Sequence, residues 1–429
     1  MVENVCFVGA GRAGMSLAAV LAKHCPDVCV SVTDIDYVAL SSWKLHSAPF
    51  FEPNLNALVE SCSNFSFVSN LSSAVAKADV VFVCLDCAPK VSGVGAGCVM
   101  DLSSWDQAAR LIASCDGPLS QIIVECSTVP VHTSTTMQQI LAANAPNRKF
   151  EVLCLPSFVA GGSAVESWED GLLFLLGSEK SPSATAAADV VAGILSRWIQ
   201  PSRIVRTNLW SAELSKMALN AYKAQRIAAT FAVSALAERT GAIVDDVMKC
   251  VGQDSRLGSS CMYYYSKQSH FSAPFHCHSH LFVFFFSYTR RKSGPGLGGP
   301  HLLPNMHALI YLCEHFNLHD QAAYWRAVLQ MDQFQRRRLV EIVMNHIRSF
   351  KGKRAAVLGF AYKASTSDVR GSPSLDLIRS LLQEGASVYI YDPRVAAEDV
   401  MKTCDHHRDV HVAGVNTLFS FRKILPLTL

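Results

Sequence analysis

A glycine-rich turn near the amino terminus carries the first recognisable chemistry of this chain. Residues 9–14 read Gly-Ala-Gly-Arg-Ala-Gly, follow an apolar run at residues 5–8 and open an amphipathic stretch. Between a strand and a helix, the first glycine allows a tight turn, the second admits a pyrophosphate, and the third lets the two elements pack closely. The free N–H groups at the helix start then bind the anion. The motif therefore predicts a dinucleotide site.

An acidic residue at the end of the next predicted strand narrows the choice of cofactor. The apolar run at residues 28–33 leads to Asp34, at the position from which a carboxylate binds the ribose hydroxyls of a dinucleotide. Ile35 and Asp36 follow, and no arginine stands there to accept a 2′-phosphate. The pattern favours NAD over NADP. The alternative is a glycine-rich turn in an α/β protein that binds no ligand.

The elements that must position this site follow a βαβ pattern. Short apolar runs alternate with amphipathic stretches through the first part of the chain, which predicts a parallel sheet with helices on both faces. The strands predicted here are residues 5–8, 28–33, 65–68, 80–85, 122–125 and 152–155.

The later part of the chain predicts long helices and then a second βαβ unit. Residues 210–240 contain no Pro or Gly and are followed by Gly241, which favours one long helix. A second helical stretch is predicted over residues 306–349, and the second βαβ unit over 354–360, 374–384 and 387–391. The predicted fold is α/β, with a Rossmann-type domain over residues 1–206, a central long-helix domain over 207–345 and an incomplete Rossmann-like domain over 346–429.

Charge and composition exclude several classes of partner. The 429 residues carry a net charge of +3 and no long basic stripe, so neither nucleic acid nor an anionic membrane is predicted to bind. No apolar run reaches membrane-spanning length. The chain opens on a strand rather than a signal peptide, and its 15 cysteines are scattered, which predicts reduced thiols and a cytoplasmic location.

Residues 259–293 differ from the sequence around them. They combine a tyrosine triplet, a phenylalanine-rich run and a crowded cluster of His270, His276, Cys277, His278 and His280. The spacing is too tight for a zinc finger and no second ligand pair follows, so no metal site is predicted. A phenylalanine-rich run is also what a translated pyrimidine tract gives, so a retained intron is one interpretation of this segment.

Motifs spread over most of residues 1–258 and about 306–395 resemble the UDP-glucose 6-dehydrogenase family. They are Phe51-Glu52-Pro53, Ser127-Thr128-Val129-Pro130, Glu213-Leu214-Ser215-Lys216, Tyr311-Leu312-Cys313-Glu314, Leu358-Gly359-Phe360-Ala361-Tyr362-Lys363 and Tyr391-Asp392-Pro393. The resemblance implies that the C6 alcohol of UDP-glucose loses a hydride to NAD and that the aldehyde is trapped on a cysteine. A second hydride then leaves, and water hydrolyses the thioester. Such chemistry needs a thiolate, a carboxylate that activates water, and donors to an oxyanion.

The resemblance also assigns roles to individual residues. The implied catalytic residues are Thr128, Lys216 and Asn220. The implied NAD contacts are Gly9, Ala10, Gly11, Arg12, Ala13, Gly14, Asp34, Ser127, Thr128, Val129 and Arg370. The implied contacts to the UDP-sugar are Lys216, Asn220, Arg256, Tyr362 and Lys363, with Arg256 reaching the neighbouring subunit of a homo-oligomer that pairs through the long helix. Lys216 and Asn220 are four residues apart, so they project from one helix face.

Two segments depart from the family pattern at the reacting centre. Ser157 and Gly161 stand where the family has glutamates, and His301 stands where it has the nucleophilic cysteine. Pro304 and Asn305 replace a lysine and an aspartate of the family. A serine hydroxyl is not a carboxylate base, and an imidazole supplies no thiolate for a thioester.

Three interpretations follow from this combination of features. The first is a working NAD-dependent UDP-glucose dehydrogenase. The second is a non-catalytic protein that binds NAD or a nucleotide sugar. The third is a mis-spliced product of a gene for the enzyme, because residues 259–293 and the sequence after Pro393 depart from the family.

Overall fold

The computed structural model describes residues 2–44, 49–171, 173–255, 281–285, 296–346 and 349–412. The chain divides into two compact units, Met1–Leu219 (unit 1) and Asn220–Leu429 (unit 2). The three-domain division at residues 206 and 345 stays a prediction.

The strands and helices have the following bounds. The strands are β1 (Asn4–Val8), β2 (Cys29–Thr33), β3 (Phe65–Phe67), β4 (Val80–Val83), β5 (Ser120–Glu125), β6 (Lys149–Cys154), β7 (Phe174–Gly177), β8 (Ile204–Thr207), β9 (Leu281–Phe285), β10 (Arg354–Leu358), β11 (Ser387–Tyr391) and β12 (Val410–Val412). The helices are α1 (Arg12–His24), α2 (Tyr37–Lys44), α3 (Leu55–Ser61), α4 (Leu71–Lys77), α5 (Ser103–Ser114), α6 (Thr133–Asn144), α7 (Ala164–Glu169), α8 (Pro182–Leu195), α9 (Leu209–Thr240), α10 (Val244–Gln253), α11 (Leu302–His315), α12 (His319–His346), α13 (Ser374–Gln383) and α14 (Ala397–Thr403).

Unit 1 is built on a twisted sheet that is parallel except at one pair. Its strand order is β3-β2-β1-β4-β5-β6-β7-β8, and only the β6–β7 pair is antiparallel within this sheet. Along β1, Val5 and Phe7 join the core on one face of the sheet, while Cys6 and Val8 join the core on the other. Both faces are therefore covered, as an apolar strand without polar alternation requires. This architecture confirms the predicted α/β fold.

The strand order places a crevice at the glycine-rich turn. The chain runs outward from β1 to β2 and β3, and then returns to the other side of β1 as β4. Ligands of such folds bind where the order reverses, beyond the carboxyl ends of the strands. The turn at residues 9–14 leaves β1 at this point.

Two of the three glycines in the turn are required by packing. Gly9 has a φ of +119°, and a Cβ there would overlap the carbonyl of Cys84. A Cβ on Gly14 would overlap the carbonyl oxygen of Gly9 and lie 2.9 Å from the Cβ of Cys84. A Cβ on Gly11 would meet no atom within 4 Å. Gly11 therefore faces open space, whereas Gly9 and Gly14 allow β1, β4 and α1 to approach one another.

A buried carboxylate fixes the loop that leaves β5. Glu125 is 0% exposed, and it accepts the indole N–H of Trp105 and the backbone N–H of Ser127. Burial raises the pKa of Glu125 from 4.5 to about 7, although both hydrogen bonds oppose the shift. The Ser127 hydroxyl in turn accepts the N–H of Leu85 at 3.0 Å, which joins the loops after β4 and β5.

Unit 2 contains a smaller parallel sheet and the two long-helix regions. The strand order of this sheet is β12-β11-β10-β9. The strand β9 lies within residues 259–293, the segment that differs from the sequence around it. It pairs with β10 from Leu281 opposite Arg354 to Phe285 opposite Leu358. Part of that unusual segment therefore belongs to the sheet.

The predicted single helical stretch over residues 306–349 is wrong, because two helices occupy it. The helix α11 ends at His315, and Asn317 takes a left-handed φ of 59°. The N–H of Leu318 then bonds the carbonyl of Cys313 at 2.7 Å, and that of Asn317 bonds Glu314 at 3.0 Å. These are the two hydrogen bonds of a Schellman C-cap, and asparagine tolerates the conformation that it needs.

Within the described ranges, no helix combines the length and apolar character that crossing a bilayer requires.

Replacing Gly14 by alanine tests the packing of the turn. We expect Gly14→Ala to lower the free energy of unfolding by about 1–3 kcal/mol, the usual cost of overpacking, even though alanine favours helices. Gly11→Ala is the matched control and should leave stability nearly unchanged. Urea denaturation of the ligand-free proteins measures both, and equal losses in the two variants would contradict the packing assigned to Gly14.

The raised pKa of Glu125 predicts a pH dependence of stability. The folded state holds this proton up to about pH 7, whereas the unfolded chain releases it near 4.5. Stability from Glu125 is therefore fully present below pH 4.5 and is lost as pH rises to about 7. We expect the melting temperature of the wild type, relative to Glu125→Gln, to fall between pH 5 and pH 8. A difference that stays constant with pH would argue against this burial.

Candidate functional site

A carboxylate at the end of β2 lies against the glycine-rich turn, where the cofactor is predicted to bind. The N–H of Gly9 donates to the carbonyl of Thr33 at 2.8 Å, and the N–H of Ala10 donates to Asp34 at 2.6 Å. Asp34 also accepts the N–H of Asp36 at 2.9 Å. Burial raises the pKa of Asp34, and the N–H donors partly offset this. The predicted ribose-binding residue thus sits directly against the glycine-rich turn.

The turn fits a dinucleotide pyrophosphate. Gly11 is the N-cap of α1 and provides no side-chain cap to the first N–H groups of this helix, and the space beside Gly11 is open. Uncapped N–H groups at a helix start bind anions. The indole N–H of Trp43 donates to the carbonyl of Ala10 at 3.0 Å and so stabilises the turn. Ala13 continues the first turn of α1.

Arg12 and Glu52 link this turn to a second segment. The Nε of Arg12 lies 3.1 Å from the carboxylate of Glu52, and its guanidinium stacks 4.9 Å from the centre of the Phe50 ring. Glu52 also accepts the N–H groups of Gly162 and Ala164, each at 2.7 Å. One buried carboxylate therefore holds both the dinucleotide turn and the loop after β6. In the sequence, Glu52 is recognisable only as part of a family motif, and no local pattern indicates this role.

The residues after β5 lie at the same edge of the sheet. Ser127 joins the β4 and β5 loops, as described above, and Thr128 is half-buried beside it. Val129 is 3% exposed and packs into the core below the sheet. Glu213 of α9 accepts the N–H groups of His132 and Ser134, each at 2.7 Å, and so fixes the other end of this loop.

The thiols near this edge are poor nucleophiles. Burial raises the pKa of Cys87, Cys126 and Cys154 above the usual value for a thiol. The neighbouring carboxylate of Glu125 adds to the rise at all three. Because the thiolate is the reactive form, these three residues are poor replacements for the cysteine that the family resemblance predicts at position 301.

Lys216 lies on α9 and is almost fully buried in unit 1. It is 6% exposed, its ammonium donates to the backbone carbonyl of Ser157, and it lies 5.4 Å from the centre of the Phe158 ring. The hydroxyl of Ser157 is buried and has no hydrogen-bond partner within the described part of the chain. The predicted lysine and the substituted family position are thus in direct contact.

Two buried asparagines of unit 2 retain unused hydrogen-bonding capacity. Asn220 is 5% exposed, and its amide nitrogen has no partner in the residues that the structure describes. Asn305 is fully buried, and its amide nitrogen donates to the carbonyl of His301 at 2.6 Å. The amide oxygen of Asn305 is unpaired within the same residues. Buried orphan groups of this kind indicate places where a ligand can bind.

The predicted nucleotide-sugar contacts Tyr362 and Lys363 lie in unit 2, in the same loop as Arg370, the predicted NAD contact. The ring of Tyr362 covers Gly299, where a Cβ would lie 2.8 Å from the ring, and Lys363 lies 5.9 Å from the centre of that ring. Arg370 is exposed and forms a bidentate pair with Asp368, whose carbonyl accepts the N–H of Tyr362 at 3.0 Å. This hydrogen bond closes the loop between β10 and α13, which carries both Tyr362 and Arg370.

The loop at residues 296–299, which precedes α11, is held in place by Arg336. Arg336 of α12 pairs with Asp332 at 2.8 Å and with Asp376 of α13, and it donates to the carbonyl of Leu297. Asp332 accepts the N–H of Leu297 in return. Arg336 and Asp376 also line a cavity of about 510 Å³. This anchor was not predicted, because its members are far apart in sequence.

Two predictions fall outside the described residues. These are the substrate contact of Arg256 and the His/Cys cluster, namely His270, His276, Cys277, His278 and His280. Over the described residues, no group of three or more His, Cys, Asp and Glu side chains could hold a metal ion.

Known proteins resemble this chain over nearly its whole length. Residues 3–194 match the NAD binding domain of the UDP-glucose/GDP-mannose dehydrogenase family, residues 210–266 its central domain and residues 356–418 its UDP binding domain. UDP-glucose 6-dehydrogenase 2 of Arabidopsis thaliana is 36% identical over 93% of this chain and 78% of its own length. UDP-glucose 6-dehydrogenase of Rattus norvegicus is 33% identical over 94% and 77%.

A solved structure shows the same fold. A UDP-glucose dehydrogenase from the archaeon Pyrobaculum islandicum superposes with a TM-score of 0.80 at 24% identity, over 96% of this chain and 86% of that one. The three matched domains and the extent of the identity confirm the resemblance that the motifs predicted. This chain therefore belongs to the UDP-glucose/GDP-mannose dehydrogenase family, whose NAD binding domain identifies NAD as its cofactor.

Proposed function

We propose that this chain binds NAD and a UDP-hexose at the family's sites but does not oxidise the sugar to a uronate through a protein thioester. The observation that carries the proposal is the histidine at position 301. His301 is the N-cap of α11, and its carbonyl accepts the amide of the buried Asn305. The backbone that would present a nucleophile is formed, but it presents an imidazole.

The proposed binding of NAD and a UDP-hexose is supported by groups with unused hydrogen-bonding capacity. In unit 1 the open face of Gly11 and the uncapped start of α1 suit a pyrophosphate. When bound, NAD supplies the hydride acceptor, while Asp34 orients it through the ribose. In unit 2 the orphan amide atoms of Asn220 and Asn305 suit the hydroxyls of a sugar.

The proposed loss of sugar oxidation is supported by the lack of a nucleophile and of a base. Covalent trapping of an aldehyde needs a thiolate, and hydrolysis of the adduct needs a base for the water. Ser157 and Gly161 provide no carboxylate, and the thiols of Cys87 and Cys126 have raised pKa values. Lys216 and Asn220 remain as oxyanion donors, which support binding without completing the oxidation.

Separate assays of binding and turnover test this function. We expect UDP and NAD each to bind the purified chain in calorimetric titrations. With both UDP-glucose and NAD present, formation of UDP-glucuronate should be at least about 10³-fold slower than in a relative with an intact nucleophile, the scale of losing such a residue. NADH absorbance and mass spectrometry of the product measure this. UDP-glucuronate formation at a rate close to that of the relative would overturn the proposal in favour of a working dehydrogenase, and absence of binding would overturn it altogether.

We also propose that two copies of the chain pair through α9. Large apolar side chains on one side of this helix are exposed, including Leu214 at 45%, Tyr222 at 61% and Leu236 at 64%. Exposed large apolar side chains that share one side of a helix are typical of a protein–protein contact. The same helix is where the family resemblance implies subunit contact.

Charge substitution on this face tests the pairing. We expect light scattering to give the wild type at least twice the mass of one chain, and Tyr222→Glu with Leu236→Glu to shift it to the monomer. Leu173→Glu, at a similarly exposed leucine of unit 1, is the control and should leave the mass unchanged. A monomeric wild type would refute the pairing.

A further inference from the structure

Two charged residues of α12 hold the backbone of Leu297 in unit 2. The N–H of Leu297 donates to Asp332, and the guanidinium of Arg336 donates to the carbonyl of Leu297. The Nε of Arg336 also pairs with Asp332 at 2.8 Å. Leu297 is 1% exposed, so these contacts are shielded from water. Because a buried backbone group without a partner costs free energy, the ion pair determines where the loop at residues 296–299 runs.

The loop lies directly on this ion pair. A Cβ on Gly296 would lie 2.9 Å from the Nε of Arg336 and 2.9 Å from the carboxylate of Asp332. Only a residue without a side chain allows the backbone to approach the two charged groups so closely. A shift of the ion pair would therefore shift the backbone of the loop.

The next two residues of the loop pack against a predicted contact to the UDP-sugar. A Cβ on Gly298 would lie 3.3 Å from the Cβ of Tyr362, and a Cβ on Gly299 would lie 2.8 Å from the Tyr362 ring. A Cβ on Gly371 would lie 3.0 Å from the carbonyl oxygen of Gly299. The loop is thus in contact with both Tyr362 and Gly371, and its position limits where the Tyr362 ring can lie.

The same arginine also binds the helix that follows these contacts. Arg336 pairs with Asp376, which lies in the first turn of α13. Pro373 directly precedes this helix, and a Cβ on Gly298 would lie 3.2 Å from the Pro373 ring. A planar guanidinium with several N–H donors suits such a junction of three segments. Arg336 therefore joins α12, the loop at residues 296–299 and the start of α13.

We propose that Arg336 is a positioning residue for the nucleotide site of unit 2. It holds the loop and the start of α13 in the arrangement in which Tyr362 and Lys363 bind a nucleoside diphosphate, without itself contacting the ligand. The inference rests on the proposed function, which places UDP at these two residues. The contacts of Arg336 described above all lie within unit 2, so the affinity for NAD at the glycine-rich turn of unit 1 should depend on it much less.

Calorimetric titration of the full chain with UDP tests the inference. We expect Arg336→Met to weaken UDP binding at least about tenfold, the effect of one good charge-assisted hydrogen bond. Arg336→Lys keeps the charge but not the planar arrangement of donors, so it should recover part of the lost affinity. NAD should bind both variants nearly as it binds the wild type, which a general folding defect would not allow.

Arg338 provides a matched control on the same helix. It pairs with Glu238 of α9 and donates to Gln335 at 3.0 Å, and its side chain is 12% exposed, against 15% for Arg336. Arg338→Met removes a comparable ion pair, and none of these contacts is to the loop at residues 296–299. It should lower the midpoint of urea denaturation and leave the affinity for UDP unchanged.

The outcomes separate this inference from the proposed function. If the wild type binds UDP and Arg336→Met binds it as tightly as Arg338→Met does, Arg336 only stabilises the fold and the inference is wrong, while the proposed function stands. If Arg336→Met shows no cooperative urea transition, Asp376→Asn decides, because it removes one charged partner and keeps Arg336. It should weaken UDP binding a few-fold, and unchanged affinity would refute the inference. If the wild type fails to bind UDP, the proposed function is wrong and the inference falls with it.

Discussion

A carboxylate at the end of the second strand holds the loop that leaves the first strand in both sheets. In unit 1, Asp34 accepts the N–H of Ala10 while Gly9 donates to Thr33. In unit 2 the same pair of contacts recurs. Asp392 accepts the N–H of Phe360 at 2.7 Å while Gly359 donates to Tyr391 at 2.8 Å. Each carboxylate sets the direction in which the chain turns from strand to helix. The two βαβ units therefore share a common local design.

Buried carboxylates elsewhere in unit 1 extend this principle to the irregular loops. A loop at the edge of a covered sheet has N–H groups that neither helix nor strand can pair, and each one costs free energy if it is left bare. Glu52, Glu125 and Glu213 accept five such N–H groups between them. Desolvation opposes this arrangement, which is why the pKa values of Glu125 and Glu213 rise. The loops around Lys216 are thus held by buried carboxylates in addition to apolar packing.

Local patterns make several strands and the glycine-rich turn predictable from the sequence. Contacts between residues that are distant in sequence are not predictable in this way. The runs that became β1, β2 and β11, and the glycine-rich turn, are recognisable because strand and turn preferences act over a few residues. Glu52 reaches Gly162 across more than a hundred positions, and no local pattern reports such a contact. The break between α11 and α12 was missed because it needs one left-handed residue, Asn317, in an otherwise helical pattern. The strand β9 was missed because its segment resembles nothing around it.

The carboxylate of Glu52 connects the glycine-rich turn of unit 1 to the loop after β6. It is shared between Arg12, at the dinucleotide turn, and the N–H groups of Gly162 and Ala164, which follow the loop of Ser157. A ligand that draws Arg12 toward a pyrophosphate changes the charge balance at Glu52 and hence how firmly that loop is held. Thermodynamic linkage then requires reciprocity: by whatever factor the cofactor favours the ordered loop, the ordered loop favours the binding of the cofactor.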